Sequence, residues 1–161
     1  MRQPLGTCRC RAEGFSKEQA GHFFRLYKEL LDDHEYPASR IWNMDESGIT
    51  TVQKPGMIIA GKGVRRVGKM TSADRRTLVT FVCAGSAAGV FLPPMNIFPR
   101  KRLLGLLMKD APTQAVGFSS ATGWTDGKLI LQWLEHFVKF TNSSPERKHL
   151  LVLDGHHSHK N

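Results

Sequence analysis

The stretch that decides the fold is "TDGKLILQWLEHFVKFTNSSPERKHLLVLD", residues 125 to 154. Its first half repeats apolar side chains at helical spacing, with Ile130, Trp133, Leu134, Phe137 and Val138 on one face. Thr125 is placed to cap this segment and Asp126 suits the positive end of a helix dipole, which predicts a helix from Thr125 to about Phe140. "NSSPERK" is a turn. "HLLVLD" then runs as a short continuous apolar strand, the type that lies in the middle of a sheet covered on both faces. Strand, helix and strand in succession imply a right-handed crossover, and therefore a layered α/β protein.

Upstream, Ser16 and Gln19 have the spacing of a capping box, and Ala20, Phe23, Phe24, Tyr27, Leu30 and Leu31 follow at helical intervals. A helix is predicted over 16–34, stopped by Pro37. "RIWNMDESGITTV", residues 40–52, is rich in β-branched and aromatic residues and reads as a strand with a bend or bulge at Gly48. "RTLVTFVCAG" and "GVFLPPMNIF" form a hairpin turning near Gly85 to Gly89, with Pro93 and Pro94 shortening its second strand or confining it to an edge. Residues 1–13 read as a loose leader, 53–75 as basic, glycine-rich loop and irregular strand, and 99–124 as an exposed connection. One domain over 14–161, without internal repeats, accounts for the rest.

The 161 residues hold 23 Lys and Arg against 14 Asp and Glu, a formal charge of +9 that favours a polyanionic partner, nucleic acid first. Cys8, Cys10 and Cys83 are odd in number and lack CxxC spacing, which excludes a disulfide framework and a zinc ribbon and points to reduced thiols in an intracellular protein. No apolar run approaches the roughly 20 residues of a membrane span.

Three motifs invite chemistry. Gly56, Gly61 and Lys62 imitate a phosphate-binding loop, but Gly63 stands where Ser or Thr must bind magnesium, so the segment reads as a flexible basic loop. Asp154 with His156, His157 and His159 has the donor types of a zinc site, yet neighbouring histidines on extended chain point apart, which favours solvated or substrate-facing roles. Asp45 and Asp154 each sit on an apolar strand. A lone carboxylate in that setting pairs with Arg or Lys, or caps a turn. Two of them on strands of one sheet can instead share a divalent cation, and oxygen-only ligation with open positions is what magnesium takes.

"RIWNMDESGITTVQKP", "RRTLVTFVCAGSAAGVFLPPMNIFP" and "LLVLDGHHSHKN", in that order, resemble the DDE superfamily endonuclease domain of pogo- and Tigger-type transposases and their jerky-like domesticated relatives. The likeness covers about residues 14–161. It implies a ribonuclease H-like mixed sheet with flanking helices, incomplete at the C-terminus, in which the first three strands form an antiparallel meander and the strand after the helix lies parallel beside the first. It further implies that Asp45 and Asp154 are the first two catalytic acids and the ligands of Mg2+, or of Mn2+, with Glu46 outside the set. Arg65, Arg66, Lys69, Arg75, Arg76, Arg100, Lys101 and Arg102 are then the candidate contacts to a DNA backbone. The family's third acid lies further along such a chain than Asn161, seven residues past Asp154, so the isolated chain is expected to bind DNA without cleaving it. The alternative is a domesticated DNA-binding or regulatory protein without catalysis. Nuclear residence follows from the resemblance, and "PRKR" at 99–102 is consistent with it.

Overall fold

The computed structural model describes residues 16–50 and 78–155, in two compact units that meet between Pro37 and Ala38. The first unit contains α1 (Lys17–His34). Ser16 caps it by accepting a hydrogen bond from the Gln19 amide at 3.1 Å, as the capping-box spacing implies. Glu35 ends it in the left-handed conformation (φ 44°) with its N–H on the Leu31 carbonyl, two residues before Pro37. None of its residues is buried.

The second unit holds β1 (Ile41–Thr50), β2 (Leu78–Ser86), β3 (Met95–Pro99), β4 (Val116–Ser120), α2 (Gly127–Thr141) and β5 (Leu150–Val152). One five-stranded sheet runs in the order β4-β3-β2-β1-β5. β1, β2 and β3 form an antiparallel meander, and β5, after the helix, lies parallel beside β1. This is the ribonuclease H-like arrangement, a mixed sheet carrying a crossover helix.

Several sequence expectations give way here. β4 occupies part of the presumed connection at 99–124 and pairs in parallel with β3, so β3 is not an edge strand. Pro93 and Pro94 do shorten β3, which begins at Met95; only an isolated bridge between Gly85 and Phe91 precedes it. Gly48 is no bulge, because the β1–β2 register is unbroken from Trp42–Ser86 to Thr50–Leu78. A Cβ at Gly48 would stand 2.8 Å from the Leu78 side-chain methyl, so a larger residue there would have to displace that methyl. β5 lies at the sheet edge among the described residues and is half-buried, not enclosed on both faces. The helix cap also moves by one residue. Asp126 is the N-cap, accepting from the Leu129 amide at 2.9 Å, while the Thr125 hydroxyl is buried without a partner.

Alternation along the strands separates the two faces of the sheet. Trp42 and Met44 of β1, Val82 and Ala84 of β2, and Met95 and Ile97 of β3 are buried against Leu129, Ile130, Trp133 and Phe137 of α2. Trp42 meets Phe137 edge-on at 5.5 Å, and Trp133 stacks on the same ring at 5.5 Å. Leu134 packs only partly and Val138 is exposed, so the buried stripe runs through Leu129 and Thr141 instead. Val116 and Phe118 of β4 and Leu151 of β5 pack partly against the same cluster.

The opposite face is covered only in part. Beneath the segment that joins β3 to β4, Asn96 donates to the Met108 sulfur at 3.6 Å, and a Cβ at Gly117 would collide with the same sulfur. That segment shields the β3 and β4 portion. The β1 portion, with Asn43 and Asp45 exposed, stays open.

Candidate functional site

Asp45 reaches the open face by parity: Trp42 and Met44 face the core, so Asn43 and Asp45 face away from it. Its cross-strand neighbour is Cys83, which is exposed on the same face. Its Oδ1 accepts the Glu46 N–H at 2.8 Å, which fixes the direction of the carboxylate. Glu46 itself alternates to the core side, opposite Val82, and so stands apart from the face that Asp45 occupies.

Asp154 approaches from β5. Three pairs join β1 to β5, Ile41 with Leu150, Trp42 with Leu151 and Asn43 with Val152, each separated by 109 positions in sequence. Leu151 packs on the core beside Trp42, which places Val152 on the open face with Asn43. β5 ends at Val152, and Asp154 follows two residues beyond the last pair, as Asp45 follows Asn43 by two on β1. Both aspartates are exposed. Adjacent strands lie about 4.8 Å apart, and Asp154 lies just past the end of the strand that pairs with β1. Their donor chemistry, hard oxygen on an open and hydrated surface, fits a magnesium-type cation. Among the described residues there is no group of three His, Cys, Asp or Glu able to hold a metal ion.

A cavity of about 300 Å³ adjoins Asp45, lined by Asn43, Asp45, Cys83, Ala84, Gly85, Ser86 and Phe91. The Cys83 thiol is pushed up from its ordinary pKa by burial and then by the negative charge of Asp45. Sequence reading missed Asn43, Cys83 and Phe91, because which residues of β2 oppose β1 depends on a register that neither strand's pattern states alone. A larger cavity, about 540 Å³, is lined by Gln114, Ala115, Val116, His136, Lys139 and Phe140 and contains no carboxylate.

The basic candidates divide. Arg100, Lys101 and Arg102 are exposed immediately after β3. β1, β3, β4 and β5 share one direction, so this triplet leaves the sheet at the edge towards which Asp154 also points, without lining the cavity beside Asp45. Arg65, Arg66, Lys69, Arg75 and Arg76 lie outside the described residues, as do His156, His157, His159, the 56–63 loop and the 1–13 leader.

The profile of the DDE superfamily endonuclease family matches residues 75–161, more than half of the chain. The chain is also 30% identical over 126 residues to a protein of Cochliobolus lunatus named "MFS-type transporter clz9"; the match takes in 74% of this chain and 13% of that protein. The chain thus spans a small part of that relative's length. No helix among the described residues is long and apolar enough to cross a membrane. No solved structure matches.

Proposed function

The chain belongs to the DDE superfamily endonuclease family, and from that premise we propose that it is a transposase-derived domain that binds DNA and holds a divalent cation between Asp45 and Asp154. The observation that supports this reading is the β1–β5 register, whose constant offset over Ile41–Leu150, Trp42–Leu151 and Asn43–Val152 would, if continued, bring position 154 beside position 45. Magnesium, or manganese, is the ion that an oxygen-only site of this type takes, and when bound it supplies charge stabilisation to the attacking and leaving oxygens of a phosphodiester displacement.

The remaining roles fall to the chain itself. Asp45 is oriented by the Glu46 amide, and Asp154 follows β5, whose Leu151 packs on the core that α2 shares. Arg100, Lys101 and Arg102, with Arg65, Arg66, Lys69, Arg75 and Arg76, neutralise backbone phosphates in this reading. Two carboxylates organise one ion weakly, so cleavage in this reading requires a third acid beyond Asp45 and Asp154. Descent from pogo- or Tigger-type elements, and action in the nucleus, complete the proposal.

Titrating a duplex fragment at several salt concentrations tests it. Affinity falls steeply as salt rises, because neutralised phosphates release counterions. Affinity indifferent to salt would contradict DNA as the partner, and nicking of supercoiled plasmid by the purified chain would contradict the absence of cleavage.

A further inference from the structure

Phe91 is 76% exposed, although it is aromatic and is joined by an isolated antiparallel bridge to Gly85 of β2. Its ring lies over Gly85: a Cβ built there would be 3.1 Å from the ring Cε1 and 3.3 Å from Cδ1. Gly85 pairs with Asn43 and lies two residues from Cys83, the partner of Asp45, so it belongs to the open face. The ring therefore stands on the same face as the carboxylate, in the cavity that Asp45 lines. Glycine at 85 is what lets an aromatic side chain settle against the strand while leaving the remainder of the ring in water.

From this placement, and resting on the reading of the chain as a DNA-binding domain, we propose that Phe91 is a stacking platform for an unpaired base of the strand presented to Asp45. Within a duplex each base face is covered by its neighbours, so an exposed ring beside Asp45 can engage only a base that has left the stack. Asn43, exposed on the cavity wall, offers an amide donor and acceptor to the edge of that base. The strongly basic chain supplies the attraction to the strand's backbone. The cavity volume stands at the lower end of the range for ligand clefts.

The test uses the full chain with a single-stranded oligonucleotide carrying 2-aminopurine, and a duplex of the same sequence, against the wild type, Phe91→Leu and Phe91→Trp. Stacking quenches the fluorophore in the wild type and in Phe91→Trp. Phe91→Leu loses the quenching and weakens single-strand binding by about 5- to 150-fold, while duplex affinity stays within twofold. Salt-dependent DNA binding that is identical in wild type and Phe91→Leu would overturn the platform alone. Failure of the single strand alone to bind would likewise overturn the platform alone, and failure of both DNA forms would overturn it together with the reading beneath it.

Discussion

Asn43 and Val152 are the last register partners of the parallel β1–β5 ladder, and both lie on the face that α2 leaves uncovered. Two residues further along the chain stand Asp45, still on β1, and Asp154, just past the end of β5. The candidate site is thus a consequence of where β5 docks, and β5 docks where the Trp42–Phe137–Leu151 packing holds it. Perturbations of that docking reach the site without touching either acid.

His149, at the entry to β5, is one such control. Its Nδ1 bonds to the Ser143 hydroxyl at 2.6 Å, and Ser143 bonds in turn to Thr141 at the end of α2. Burial, then the charges of Arg147 and Arg40, hold the imidazole below its ordinary value of 6.5. The folded chain therefore binds fewer protons than the unfolded one in this window. The contribution to stability is full above 6.5, declines as pH falls below it, and is gone once pH passes the folded value. Denaturant melts from pH 7.5 to 5 will show the wild type losing more stability than His149→Gln; parallel curves would contradict this assignment.

Cys83 reports on the charge of its cross-strand partner. Because Asp45 raises the thiol's pKa, Asp45→Asn lowers it, and the thiolate fraction at pH 8 rises. Alkylation by iodoacetamide, followed at the Cys83 peptide by mass spectrometry, should be faster in Asp45→Asn than in the wild type. Equal rates would mean that the two side chains do not share a face.

The α2 cap separates two neighbouring residues. Asp126→Ala removes the bond to the Leu129 amide and should cost about 1 kcal/mol. Thr125→Val, which deletes a buried hydroxyl that has no partner, should be close to neutral. Equilibrium urea unfolding measures both, and the reverse ranking would restore Thr125 as the cap.

The sequence made some of these elements legible and hid others, for physical reasons. α2, β1, β2 and β5 carry long or continuous apolar patterns, and the two aspartates stand out because a carboxylate on an apolar strand needs an explanation. β4 has only Val116 and Phe118 as large apolar residues in five, and it takes its place by pairing with β3, a non-local event that no local pattern encodes. Thr125 and Asp126 are both good caps, and one residue of helical phase chose between them. β5 reads as a central strand because its residues are apolar, although it stands at an edge among the described residues. Cys83 and Phe91 entered the site only through the β1–β2 register.

The sharing of one cation by Asp45 and Asp154 is tested most directly by calorimetric titration of manganese into the wild type, Asp45→Asn and Asp154→Asn. Each single substitution should abolish measurable binding, since either removes half of the carboxylate pair. Unchanged affinity in both variants would contradict a shared ion and leave the alignment of the two strands without the chemistry assigned to it.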